Sequence, residues 1–215
     1  MAGILNKKVN LVKNLYYVRK MTMFAIAKRL GVSIDAVVYF MRKHKIIRRS
    51  LVEANLIAFQ NKKLSFKERT KLSFVNKQLK LAGLMLYWSE GYKSSKSSGI
   101  DFANSDPDMI KVFVKFLRVI YRIDKKRFRV LLYCYSNQNV SSLIDFWSKL
   151  TDIPKKQFSK PYIRKNFYEN GRKMQYGMVH IRYADKKLFL SIMKSIEKMK
   201  SIICVGTQVV NEGTL

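Results

Sequence analysis

The spacing of apolar residues changes several times along the chain, and each change predicts an element. Residues 10–46 hold a helix followed by TMFAIAKRLGVSIDAVVYFMRKHKI, where Ile26, Leu30, Val32, Val37 and Phe40 are the set expected to share a core. Thr22 and Ser33 each stand where a helix needs a side-chain cap. Gly31 sits between the two helices, where a tight turn asks for positive φ. Ala27, four residues earlier, leaves room for two helices to cross closely. Residues 50–70 lack Pro and Gly and read as a partly helical linker that docks through Leu56, Ile57 and Phe59.

A second series begins at Lys71. Leu72, Val75, Leu79, Ala82, Met85 and Leu86 are spaced as on a helix, and Gly91 is its expected stop. Tyr92–Lys96 predicts a short strand, and GIDFANS predicts another because Ile100 and Phe102 alternate with polar neighbours. SDPDMIKVFVKFLRVIY predicts a helix with Asp106 as cap and Pro107 in the first turn. RFRVLLYCYS reads as a strand and VSSLIDFWSKLTDI as a helix. KPYIRKNFYENGRKMQYGMVHIRY reads as a hairpin about Asn170-Gly171, a dipeptide suited to a type I′ turn. DKKLFLSIMKSIEKM closes the series as a helix capped by Asp185. The remaining SIICVGTQVVNEGTL is expected to add an edge strand or to pack on the linker. The class is α+β, divided into residues 1–49, a linker 50–70, a larger domain 71–200 and a tail 201–215.

Composition then narrows the partner. The 215 residues are 48% hydrophobic, ample for a core, yet the formal charge is +29. Such an excess repels itself unless a polyanion is the usual partner. Nucleic acid leads and an anionic membrane is the rival. Residues 1–70 carry 16 Lys and Arg against 3 acids, and the remainder 27 against 11, so both parts are expected to face the same polyanion. No run of 18 apolar residues and no signal-peptide pattern is present, and the positive charge is spread over folded units without a basic amphipathic anchor, so no membrane association is expected. Cys134 and Cys204 have no zinc-ligand spacing and suit a reducing cytosol, with the protein on the nucleoid when DNA-bound.

The amino-terminal pattern resembles the helix-turn-helix motif, because caps, glycine, small residue and apolar set agree at once. The resemblance implies that the helix from Ile34 enters the major groove. Ser33, Asp35, Val38, Tyr39 and Arg42 would then face base edges or phosphates, followed by Lys43, Lys45, Arg48 and Arg49 as a basic trail.

In the larger part, the letters LAGL at Leu81–Leu84 and the element order resemble the LAGLIDADG homing endonucleases over about residues 71–200. The resemblance implies a curved antiparallel sheet with helices packed on one face. It also implies a homodimer through helix 72–90, with an acid at each helix tip holding Mg²⁺ at a phosphodiester. Counted from Leu81, the family's acidic positions fall on Leu86 and Trp88; anchored on the terminal acid-glycine pair, they fall on Glu90 and Gly91. On the latter anchor Glu90 and Gly91 are the expected metal site, Lys93 and Lys96 would steady the phosphate, and Gly83, Tyr87 and Glu90 would line the helix–helix seam. Asp101 is a second candidate acid.

Strand alternation predicts the DNA-facing surface. Phe128, Val130, Leu132 and Cys134 should face inward, leaving Arg127, Arg129, Tyr133 and Tyr135 outside. Lys160, Tyr162 and Arg164 should share a face, and His180 and Arg182 should point out, His180 being also a candidate general base. The leading expectation is a metal-dependent, site-specific endonuclease of duplex DNA acting as a homodimer. Alternatives are a DNA-binding regulator that keeps the fold without cutting, and an RNA-binding maturase, which the helix-turn-helix argues against.

Overall fold

The computed structural model describes residues 2–165 and 174–211, and the chain divides into two compact units, Met1–Lys63 and Leu64–Leu215. In the first unit, α1 (Ala2–Lys13) runs into a single π-helical turn, Asn14–Val18, closed by Arg19 N–H donating to the Asn14 carbonyl. Then follow α2 (Met23–Leu30), α3 (Ile34–Lys43) and α4 (Leu51–Asn61). Thr22 and Ser33 cap α2 and α3 as expected: their hydroxyl oxygens accept from the Ala25 and Ala36 N–H groups, each at 3.1 Å. Gly31 turns the chain with φ of 68°.

The core of this unit differs from the expected set. Ile26, Ala27 and Val37 are buried, but Leu30 and Val32 are 37% and 47% exposed and Phe40 is half-buried. Leu15 and Tyr16 from the preceding helical turn, with Met41 and Ile46, take their place. The pattern within two helices does not reveal what a third brings to their crossing. In α4, Ile57 is buried while Leu56 is exposed and Phe59 is half-buried.

The second unit begins with a strap that belongs to it rather than to a linker. Lys67 and Arg69 N–H groups donate to the Tyr121 and Ile120 carbonyls, and Asp124 N–H donates to the Ser65 carbonyl. Next come α5 (Phe74–Glu90), β1 (Ile100–Asn104), α6 (Pro107–Ile120), β2 (Phe128–Tyr135) and α7 (Val140–Thr151). β3 (Tyr162–Arg164), β4 (Met178–Tyr183) and α8 (Lys186–Asn211) complete it. Asp106 caps α6 by accepting from the Asp108 and Met109 N–H groups, and Asp185 receives the Lys187 and Leu188 N–H groups at the start of α8.

The sheet order is β1-β4-β2-β3. β4 lies antiparallel to both β1 and β2, but β3 runs parallel to β2 with Tyr133 opposite Tyr162 and Tyr135 opposite Arg164. The sheet is therefore mixed, and β3 and β4 do not pair as a hairpin; the Asn170-Gly171 turn lies outside the described residues. The physical reason is the crossover: α7 supplies the long connection that parallel neighbours require. The expected strand at Tyr92–Lys96 shrinks to one bridge, Gly91 to Phe102, and a Tyr92 N–H bond to the Asp101 carbonyl. The expected tail strand is instead the end of α8, because extending an existing helix is cheaper than starting a strand.

One sheet face is buried. Phe102, Phe128, Val130, Leu132, Val179 and Ile181 pack with Phe113, Phe116, Leu117 and Ile120 of α6, Trp147 of α7, and Leu188 and Ile192 of α8. Tyr87 of α5 joins this core and stacks on Phe113 with ring centroids 5.8 Å apart. The other sheet face carries exposed and half-buried residues, so among the described residues the helices of this unit lie on one side of a four-stranded sheet.

Candidate nucleic-acid interface

On α3, Asp35, Tyr39, Arg42 and Lys43 are exposed on the side away from buried Val37 and Met41, while Val38 is half-buried between them. Four-residue and three-residue steps put Asp35, Tyr39 and Arg42 one above the other. Ser33 is exposed too, but its oxygen is already engaged as the N-cap. Lys45 and Arg48 follow, both exposed, with Lys45 held at φ of 51°.

Arg49 is a correction. It closes the predicted basic trail in sequence, yet its side chain is only 6% exposed. Its guanidinium lies 3.8 Å from the centre of the Tyr16 ring and donates to the Met21 and Tyr16 carbonyls, while its own N–H donates to the Tyr16 hydroxyl. Glu53 stands 3.8 Å away. Arg49 clamps the end of the helical unit and has little left to offer a phosphate.

On the open sheet face the alternation holds. Arg129 and Arg164 are exposed, and Tyr133, Tyr135, His180 and Arg182 are half-buried on the same side. The cross-strand register sets these side chains in a row. The Tyr133 ring stands between those of Tyr162 and His180, at centroid distances of 4.9 and 4.8 Å. Rings this close, at interplanar angles of 41° and 32°, pack on one another as tilted stacks. Lys160 is exposed but precedes the strand. Met178, Leu131 and Ala103 complete this face; the first two follow from alternation, but their neighbours are set by pairing that the sequence does not display.

Asp101 organises one end of the row. From β1 it accepts from His180 Nδ1 at 2.8 Å with one oxygen and from Arg182 Nε at 2.9 Å with the other. Burial alone would push its carboxyl up, but the hydrogen bond and charge of His180, with the charge of Arg182, outweigh it and hold the pKa below the usual carboxylate range. Asp101 is thus a support for the His180 imidazole and the Arg182 guanidinium, and it fixes Nδ1 of His180 as the ring nitrogen facing inward. A free general base at His180 would have to act through Nε2.

Arg127 is the second correction. It precedes β2, and its guanidinium donates to the Ala184 carbonyl, lies 3.6 Å from buried Asp185, and sits 5.1 Å over the Tyr183 ring. It ties β2 to the start of α8 rather than facing a groove.

Glu90 ends α5 and is exposed, as an acid at a helix tip should be. Gly83 and Tyr87, however, do not line a seam between chains. A β-carbon on Gly83 would lie 2.1 Å from Phe116 Cγ, and Tyr87 is fully buried with its hydroxyl donating to the Tyr92 carbonyl. Both face the protein's own core. Gly91 leaves the helix in extended conformation and is buried under the Tyr87 ring. Its carbonyl accepts from Lys93 Nζ at 2.8 Å, which turns that lysine back onto the end of the helix. Among the described residues no three His, Cys, Asp or Glu side chains gather around one point. The resemblance implies one acid from each of two chains, and in this chain Glu90 is the acid at the helix tip. Lys96 is exposed on the following loop and pairs with no acid among the described residues.

No protein-family model, curated protein or solved structure matches the chain. Among the described residues, no helix is long and apolar enough to cross a membrane.

Proposed function

We propose that the chain is a sequence-specific DNA-binding protein that reads duplex DNA through α3. The observation that carries this reading is the exposed column Asp35, Tyr39 and Arg42 on a helix capped by Ser33 and set against α2 by the Gly31 turn. A helix presented in this way reaches base edges, whereas the surrounding lysines and arginines neutralise phosphates. The open sheet face adds Arg129, Arg164, Tyr133 and Tyr162, of the types that contact phosphates and base edges. The α5 surface supports a homodimer like that of the LAGLIDADG proteins: Phe74, Leu81, Met85 and Trp88 recur on one exposed side of the helix at steps that suit helix pairing.

The test is enrichment of bound duplexes from a randomised DNA library, with the native chain and with Arg42→Ala and Tyr39→Ala. A shared motif that weakens or changes in the variants is the expected result. Equal recovery of all sequences by native and variant chains would overturn specific recognition.

A second reading, homing-type endonuclease, draws on Glu90. Glu90 closes α5 on the Gly83–Tyr87 side rather than on the exposed side, so two copies would have to meet at the helix tips to bring two Glu90 carboxylates toward one axis and supply the acid that a single chain lacks. Incubation of the selected duplex with Mg²⁺ separates the readings. Cut ends lost in Glu90→Gln, with binding intact, would establish the nuclease; an uncut duplex leaves a regulator.

A further inference from the structure

The loop after α5 and the end of β4 line an open cleft of about 410 Å³. Its walls include Tyr92, Lys96 and Ser98 from the loop, Gly99 and Asp101 at the start of β1, and Arg182 from β4. The volume lies in the range of small-ligand sites, roughly 300–1,000 Å³.

The loop is built rather than merely draped. Lys186 Nζ, from the first turn of α8, donates to the Ser95 and Ser97 carbonyls at 2.6 and 2.7 Å, and the Ser97 hydroxyl donates to the Gly99 carbonyl at 2.6 Å. Gly99 presses on β4 so closely that a β-carbon would stand 2.3 Å from the Tyr183 carbonyl oxygen. Lys96 is thus carried on an anchored support.

Charge selects the ligand. Lys96 and Arg182 are the two cations of the wall, and Asp101 is the acid. Both oxygens of Asp101 are committed, one to His180 and one to Arg182 Nε, so the carboxylate orients the guanidinium and offsets its charge, which leaves Lys96 as the uncompensated cation of the wall. With Nε held by Asp101, the two terminal nitrogens of Arg182 have no hydrogen-bond partner among the described residues and form a fork, the geometry that matches phosphate oxygens. Tyr92, 57% exposed, offers an aromatic wall beside it.

We propose that this cleft is a phosphate site, in which Lys96 and Arg182 hold the phosphate of a nucleotide whose sugar or base rests against Tyr92. The proposal deepens the nucleic-acid reading, which supplies one source, a strand phosphate. A free mononucleotide is the other source of the same chemistry.

The experiment uses the full chain labelled with ¹⁵N and follows the amides of Ser97, Ser98 and Gly99. The probes are inorganic phosphate, adenosine monophosphate and a short 5′-phosphorylated oligonucleotide. Saturable shifts are expected with each probe, weakened about tenfold by Lys96→Ala, retained by Lys96→Arg and untouched by Lys149→Ala, which removes an equal charge from α7. Competition of the oligonucleotide with phosphate assigns the strand as source; binding of the mononucleotide without such competition assigns the free ligand. Lys96→Ala leaves the anchored loop its backbone bonds, so the test does not depend on a variant of Arg182. Linear, unsaturable shifts that are the same in Lys96→Ala and Lys149→Ala would overturn the site. Failure of duplex selection with saturable phosphate binding would sink the DNA reading and leave the phosphate site standing.

Discussion

Gly83 of α5 lies against the ring of Phe116 of α6, with space for no side chain between the two helices. A methyl group there would have to displace an aromatic ring that is itself fully buried. Gly83→Ala is expected to destabilise the second unit by about 1–3 kcal/mol, the usual cost of overpacking a filled core. Urea unfolding followed by far-UV circular dichroism would measure it. An unchanged midpoint would mean that the two helices separate easily.

The same contact turns the other side of α5 outward. Leu81→Glu with Met85→Glu should leave the fold intact, since both residues are exposed, while abolishing self-association through that side. Light-scattering mass in solution decides: a native dimer and a variant monomer are expected. A variant as dimeric as the native chain would exclude α5 as the interface.

Arg42 and Arg49 are both basic and close in sequence, but they should behave oppositely. Arg49→Ala removes a ring contact and several carbonyl bonds, and is expected to cost about 2–3 kcal/mol of stability in the first unit. Arg42→Ala should leave stability within about 0.5 kcal/mol, as exposed substitutions do. It should instead weaken DNA binding and, if it meets a phosphate, lower the salt slope by about one. Thermal melts beside binding titrations at three salt concentrations would distinguish them. Equal melts for the two variants would contradict the clamp.

Asp101 makes a pH prediction with a definite sign. Its folded pKa lies below the unfolded value, so its contribution to stability is present above pH about 4 and is lost as pH falls through the folded value. Asp101→Asn should lower stability at neutral pH and flatten the loss on acidification. Asp185 shares the direction: burial pushes its carboxyl up, but bonds from Ser65, Leu188 and Lys187 and the charge of Arg127 bring it below the usual range. Part of the acid loss should therefore persist in the variant. Denaturant midpoints between pH 7 and 3 test this, and identical pH profiles for native and variant would remove Asp101 from the account.

Much of the local structure was written in local chemistry. Thr22, Ser33, Asp106 and Asp185 announce helix starts because a side-chain oxygen must serve N–H groups a few residues away. The alternation Phe128, Val130, Leu132 and Cys134 announces which side of β2 is buried, because successive residues of a strand point opposite ways. Gly31 announces a turn through its freedom at positive φ. From these the α+β class and the outward placing of Arg129, Tyr133, His180 and Arg182 followed directly.

The candidate site was legible only residue by residue. That Asp101 would serve His180 and Arg182, or that Lys96 would line the same cleft as Arg182, depends on which strands become neighbours. The parallel pairing of β3 with β2 and the insertion of β4 beside β1 are likewise choices among edges, made by packing and crossover length.

Sequence by itself determined the caps, the helical and strand periodicities, and the excess of positive charge, since each depends on neighbours a few residues apart or on composition alone. Tertiary structure decided that Arg49 and Arg127 turn inward, that Gly83 and Tyr87 face α6, and that Asp101 meets its partners. Those outcomes depend on contacts between residues far apart in the chain, where burial and pairing select one partner from many that the local pattern permits equally.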